Sequence, residues 1–212
     1  GVETIFGYSG GAILPTYDEV FKYNEANPKN QMPLIVPSNE QGAGFMASGY
    51  ARSTGKPGVV MVTSGPGATN TVTPVRDAMA DSIPMVIICG QVSRAAIGSD
   101  AFQEAPISSV MGSVAKHVFL ITNENKLAAT LKAAFEVARS GRPGPVVVDI
   151  PKDIQTAEIS DEDHEEANIA AYANRISAIE ESRLSEEKSS EFFDHLSNSK
   201  KPLIYFGGRS EE

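Results

Sequence analysis

The stretch NEQGAGFMASGYARSTGKPGVV, residues 39–60, joins two kinds of periodicity in one line. Ala43, Ala47 and Ala51 recur at i, i+4 spacing, with Met46 and Tyr50 as a second row, which predicts a helix from Glu40 to Thr54. Gly55 and Pro57 stop it, and Val59 to Val62 follow as an apolar strand. The same stretch poses a question. A single carboxylate, Glu40, heads a nearly polar-free helix beside Gly42, Ala43 and Gly44. An acid in the first turn complements the helix dipole, an effect of about 0.3–1 kcal/mol. Glu40 by itself therefore has an ordinary reading.

Outward from this unit the pattern repeats. Apolar, β-branched runs occur at TIFGY (4–8), PLIVP (33–37), GVVMVT (58–63), PMVIICG (84–90), HVFLIT (117–122) and PVVVDIP (145–151). Helical patterns alternate with them at 11–25, 40–54, 68–80 and 125–139. Strands apolar on both faces belong in a parallel sheet covered by helices on both sides. The fold class is α/β, a sheet of about six strands, over residues 1–155. The segment EISDEDHEE (158–166) holds six acids and nothing that builds a core, so 156–200 reads as an acidic linker followed by polar helices. PLIYFGG (202–208) reads as the first strand of a second α/β domain over 201–212. The chain opens at Gly1 without Met or targeting signal and stops at GGRSEE, which reads as a piece of a longer protein.

Composition excludes several classes. With 41% hydrophobic and 21% charged residues the chain is an ordinary globular protein, and no apolar run reaches membrane-spanning length. The net charge of −9, without a basic stripe, argues against nucleic acid as a partner. Cys89, the single cysteine, sits inside an apolar strand and leaves no disulfide within the chain. No His/Cys/Asp spacing suggests a metal site, and no nucleophile elbow supports a Ser-His-Asp triad.

In open α/β sheets ligands bind outside the carboxyl ends of the strands. The segments there are GYSGGAILP after the first strand, TSGPGATNT after the third, CGQVSRAAIGSDAFQE after the fourth and PKD after the sixth. Glycine lets backbone approach a ligand closely. SGPGATN lacks the third glycine of a dinucleotide loop, and no acid ends the next strand, so a Rossmann reading is weak.

These motifs, with NEQGAGFMASGYAR, DSIPMV, IGSDAFQE and SGRPGPVVVDIPKDI in order and at consistent spacing, resemble the N-terminal, pyrimidine-binding domain of the acetohydroxyacid synthase (acetolactate synthase) catalytic-subunit family. That family is thiamine-diphosphate-dependent. The resemblance is dense over 1–155 and thinner at SNSKKPLIYFGG. It implies a transferase that decarboxylates pyruvate and joins the product to pyruvate or 2-oxobutanoate, in branched-chain amino acid biosynthesis. It implies that Glu40 hydrogen-bonds N1′ of the cofactor's aminopyrimidine and so promotes loss of the thiazolium C2 proton, a role that requires a dry, close-packed setting. It further implies that Tyr8, Gly10 and Gly11 lie near the reacting centre. By the same resemblance Phe102 and Gln103 face the active site of a neighbouring subunit, and Lys152 lies at the substrate channel. The resemblance also implies that Arg142, Gly207 and Gly208 contact FAD. The ordinary readings are a turn for the glycines, core for Phe102, pairing with Asp149 for Arg142 and a surface charge for Lys152. Ser9, Asn39 and Arg209 depart from the family's usual Pro, His and Gly.

Mg²⁺, in this family, is held by a C-terminal domain whose GDG pattern has no counterpart here; GSD at 98–100 stands in another context. The resemblance implies a site split between subunits, an isolated fragment without activity, and a homodimer or dimer of dimers, with a regulatory small subunit as a further partner. Ile13, Leu14, Phe102 and Ile107 are expected to be exposed on the pairing edge. The compartment stays open between cytoplasm, plastid and mitochondrion. The alternatives are another thiamine-diphosphate decarboxylase, oxidase or carboligase, or a degenerate non-catalytic paralogue.

Overall fold

The computed structural model describes residues 2–159 and 185–205. The chain divides into two units, Gly1–Asn168 and Ile169–Glu212. In the first unit β1 (Ile5–Tyr8) leads to α1 (Leu14–Ala26), and β2 (Leu34–Ile35) to α2 (Glu40–Thr54). Then come β3 (Gly58–Val62), α3 (Pro66–Thr69), α4 (Val72–Ala80) and β4 (Met85–Gln91). Next are α5 (Ile107–Gly112), β5 (His117–Leu120), α6 (Leu127–Arg139), β6 (Pro145–Pro151) and α7 (Lys152–Gln155). All six strands pair in parallel, in the order β2-β1-β3-β4-β6-β5. The expected α/β class and strand count are observed.

The alternation of side chains along each strand feeds two cores. On one face Val60, Val62, Ile87 and Cys89 meet Ala43 and Ala47 of α2, Val75 and Ala78 of α4, and Ile107 and Met111 of α5. On the other, Ile5, Val59 and Met61 meet Ile13 and the α1 residues Tyr17 and Val20. Both faces are therefore dry, which is why the strands carry no polar alternation.

Local chemistry sets the boundaries. Asn39 caps α2, its side chain accepting from the Gly42 N–H at 2.8 Å, and Gly55 closes it in the left-handed conformation at φ 71°. α1 begins at Leu14 rather than Gly11, because Pro15 fits the first turn, where no N–H is needed. The helix expected over 68–80 is two helices. Pro74 has no N–H for the Asn70 carbonyl, so the chain restarts at Val72 and places the proline in the new first turn. β2 is two residues long, flanked by Pro33 and Pro37, which suit a sheet edge.

In the second unit α8 (Glu186–Asn198) realises one of the expected polar helices, capped by Ser185 accepting from the Lys188 N–H. The segment 160–184 and the whole GGRSEE end lie outside the described residues. Residues 202–205 form no strand, and 206–208 of that expected element are outside the described residues. A strand exists only by pairing, and none of the described strands pairs with Leu203–Tyr205. No helix among the described residues is long and apolar enough to cross a membrane.

Candidate active site

The strand order reverses direction at β1, between β2 and β3, the position where open α/β sheets form their ligand crevice, outside the carboxyl ends of the strands. Three segments close on it. The first follows β1. A Cβ on Gly10 would lie 2.5 Å from the Thr63 side chain, and the Ala12 N–H donates to Thr63 Oγ1 at 3.2 Å, so this turn is locked onto the end of β3. Gly11 has nothing within 4 Å of its Cβ position. The two glycines are indistinguishable in sequence, yet only Gly10 is required by packing. Gly10→Ala is expected to cost about 1–3 kcal/mol, as overpacking does, and Gly11→Ala about 0.5 kcal/mol or less. Urea-unfolding midpoints of the two variants check this. Tyr8 is partly exposed beside the turn.

The second segment is the start of α2. Asn39 performs the capping, so Glu40 is not needed for it. The Glu40 side chain reaches across the crevice instead, and its Oε2 accepts from Asn70 Nδ2 at 2.9 Å. Oε1 lies 3.6 Å from where a Gly67 Cβ would stand and makes no hydrogen bond among the described residues. Gly44, one turn on, packs against Pro74, with 2.3 Å to an added Cβ. Gly44 and Gly67 are thus sites of close approach and Gly42 is not, and the Glu40–Asn70 bond lies exposed, not in the dry setting expected. Tyr17 lies behind, donating to the Met61 carbonyl at 2.8 Å. Burial pushes its hydroxyl well up, and the Glu40 charge adds to the shift.

The third segment is the long loop after β4. Gly65, at φ 54°, would place a Cβ 2.4 Å from the Gln103 carbonyl oxygen, so the Gln103 backbone rests directly on the β3 turn. Gln103 is itself left-handed at φ 55° and exposed. Phe102 is 89% exposed, which overturns the core reading of that side chain. Ile13 and Ile107, expected on the surface, are buried, because each turns under its loop into the core. Glu104 folds the loop on itself by accepting from the N–H groups of Gly98 and Ala101, and these donors hold its carboxyl below the usual range.

Lys152 stands exposed at the start of α7, at the carboxyl end of β6. Its neighbour Asp153 accepts from the Arg94 backbone N–H and guanidinium at 2.9 and 2.7 Å. Arg142 precedes β6 and belongs to the opposite, amino edge of the sheet. It caps α4, donating to the Met79 and Ala80 carbonyls at 2.7 and 3.0 Å and to Ser82 Oγ at 3.0 Å. It does not pair with Asp149, and the structure does not bring it together with Glu40. Gly207 and Gly208 lie outside the described residues. No group of three or more His, Cys, Asp or Glu able to hold a metal occurs among the described residues.

Sequence reasoning missed Asn70 as the partner of Glu40, Gln91 and Glu104 as loop anchors, and Asp149. The last had a signal, an acid inside the apolar run PVVVDIP. Asp149 is buried, accepts from Gln91 Nε2 at 3.1 Å through Oδ2, and has no partner for Oδ1 among the described residues.

A family model described as thiamine pyrophosphate enzyme, N-terminal TPP binding domain, matches residues 1–110. The chain belongs to this thiamine pyrophosphate enzyme family. The mitochondrial acetolactate synthase catalytic subunit of Saccharomyces cerevisiae is 44% identical over 207 residues, covering 97% of this chain and 29% of that protein. The corresponding Aspergillus candidus protein is 54% identical over 154 residues, 73% of this chain and 21% of that protein. The acetolactate synthase large subunit of Lactococcus lactis is 42% identical over 208 residues, 98% of this chain and 34% of that protein. The chain thus spans about a third or less of the length of these relatives. The residues present fit the aminopyrimidine end of thiamine diphosphate. Glu40 offers one carboxylate oxygen fixed by Asn70 and one without a hydrogen bond, in a crevice narrowed by Gly67.

Proposed function

We propose that this chain is the pyrimidine-binding domain of an acetolactate synthase catalytic subunit. The complete enzyme then decarboxylates pyruvate and joins the product to pyruvate or 2-oxobutanoate, giving 2-acetolactate or 2-aceto-2-hydroxybutanoate for valine, leucine and isoleucine synthesis. The single observation that carries the reading is the Glu40 carboxylate, relieved of capping by Asn39 and aimed across the switch-point crevice onto Asn70. Bound thiamine diphosphate supplies the nucleophilic carbon and the electron sink for decarboxylation. Glu40 accepts a hydrogen bond from the pyrimidine nitrogen and holds positive charge there, while Asn70 fixes the carboxylate's orientation. Gln103 and Phe102 project from a loop braced on Gly65 and meet the substrate side of the neighbouring subunit's site. Lys152 marks the substrate channel.

Tyr8, Gly10 and Gly11 form the turn near the reacting centre. We propose Mg²⁺, with ligands outside the described residues, and FAD, with Arg142, Gly207 and Gly208 as its contacts. Both rest on the ordered motifs of the family resemblance. Relatives named catalytic or large subunits support a regulatory small subunit as a further partner. Organelle placement follows the mitochondrial and chloroplastic relatives only if the source is eukaryotic.

Acetolactate formation from pyruvate by the complete subunit tests the reading. Acetolactate is the expected product. Release of carbon dioxide with acetaldehyde or acetate, and no carbon–carbon bond formation, would select the decarboxylase or oxidase alternative. This chain alone, given pyruvate, thiamine diphosphate and Mg²⁺, is expected to make none.

Exposed apolar side chains on the loops and helices of this edge support pairing with a second copy. Leu14, Val36 and Phe102 are 53%, 58% and 89% exposed. Phe102→Asp places a charge in that contact. In the complete enzyme it is expected to shift a dimer toward monomer in sedimentation and to weaken cofactor binding about tenfold or more, since an unpaired buried charge costs several kcal/mol. An unaltered dimer of normal cofactor affinity would remove this face from the interface.

A further inference from the structure

The loop of Phe102 and Gln103 leaves the sheet at Gln91 and returns to the core at Ile107. It contains three left-handed residues, Gly98, Asp100 and Gln103, at φ 85°, 56° and 55°. Such backbone persists only when its surroundings hold it. The Glu104 carboxylate closes the loop on itself through Gly98 and Ala101 but does not fasten it to the sheet.

Arg94 fastens the start of the loop to Asp153; its end, which carries Phe102 and Gln103, is fastened by Gln91. Its Nε2 donates to the Ala105 carbonyl at 3.2 Å and to Asp149 Oδ2 at 3.1 Å, and its Oε1 accepts from the Val92 N–H at 2.9 Å. Gln91 and Asp149 are 3% and 1% exposed, so water does not substitute for these partners. A glutamine amide has two orientations that fill the same space. Asp149 Oδ2 selects the one that points the donor at Ala105. Oδ1 has no partner among the described residues, and a proton on it leaves Oδ2 able to accept in both charge states. An acid is costly in an apolar strand, here next to Cys89 in register on β4. Burial pushes its carboxyl up to about 7. Packing alone would be served by a valine, as at the three preceding positions of β6.

We propose that Asp149 is a positioning residue which, through the Gln91 amide, ties the loop bearing Phe102 and Gln103 to the middle of the sheet. Its effect on turnover rests on the reading above that this loop meets the reacting centre.

Amide hydrogen exchange at Gly98, Ala101 and Glu104, whose N–H groups are bonded within the loop, tests the tie. Asp149→Leu and Gln91→Leu are each expected to speed exchange there about tenfold, the loss of roughly one buried hydrogen bond, with α2 and β3 amides unchanged. Asp149→Asn keeps an acceptor for Gln91 and is expected to exchange like the wild type. If a leucine variant fails to fold, Gln91→Met, which keeps the unbranched stem, is read in its place. In the complete enzyme Asp149→Leu is expected to lower kcat about tenfold by the same argument, with Asp149→Asn restoring it. Loop amides that keep wild-type exchange in folded variants overturn the tie. Faster loop exchange with unchanged kcat sustains the tie and overturns instead the placement of this loop at the reacting centre.

Discussion

Glu40→Gln is expected to slow proton removal from the reactive carbon of bound thiamine diphosphate by about 10²–10⁴-fold, the usual weight of a general acid–base contribution. The fold should survive, because the residue that caps α2 is Asn39 and not Glu40. The amide oxygen of glutamine can still accept from Asn70, as Glu40 Oε2 does at 2.9 Å. That leaves the NH₂ group in the place of Oε1, a donor where the pyrimidine nitrogen needs an acceptor. A neutral amide also holds no positive charge at that nitrogen. Deuterium exchange at the cofactor's C2, followed by NMR in the complete enzyme, reads the effect without requiring the later steps. An unchanged rate would return Glu40 to its ordinary role at a helix start. Unchanged thermal unfolding would show that the variant acts on chemistry and not on folding.

The second large effect is on stability. Burial holds the Asp149 carboxyl protonated up to about pH 7, whereas in the unfolded chain it ionises near its usual value of about 3.9. Between those values the folded protein carries one more proton than the unfolded one. Unfolding then releases a proton, so stability falls as pH rises through this window, by at most about 1.4 kcal/mol per pH unit. Above about 7 both states are ionised and this contribution levels off. Asp149→Asn has no proton to lose. It is expected to abolish that slope and to be more stable than the wild type at pH 8. His117 acts in the opposite sense, because burial lowers its pKa and so adds stability as pH rises toward its unfolded value. That slope is common to both proteins, so the difference between their urea midpoints at pH 5, 6, 7 and 8 isolates Asp149. Parallel curves would show that the carboxyl is ionised in the fold throughout.

These two acids also mark what was legible. Glu40 was visible in the sequence as a lone acid at the head of an alanine and glycine helix, and the ordered motifs around it, not the position itself, pointed beyond the helix dipole. Its partner was not visible. Asn70 is distant in the chain, and only the folding of α3 brings its amide to the carboxylate. Asp149 had the same kind of signal, an acid in an apolar strand, but its meaning depends on Gln91 of the neighbouring strand. Arg142 shows the converse. Its motif was plain, its proposed partner Asp149 was wrong, and the real partners are the carbonyls at the end of α4.

By itself the sequence determined the class of the fold, the extent of most elements and the gathering of the glycine-rich turns at the carboxyl edge of the sheet. Those depend on local terms: β-branched runs without alternation, alanine spacing, and caps such as Asn39 and Gly55. Tertiary structure alone decided the strand order, the division of the helix at Pro74, the burial of Ile13 and Ile107, and which of Gly10 and Gly11 is indispensable. It also left Leu203–Tyr205 without a strand partner among the described residues. Each of these depends on contacts between residues far apart in the chain. Periodicity reports which face of an element is apolar, but not what that face meets.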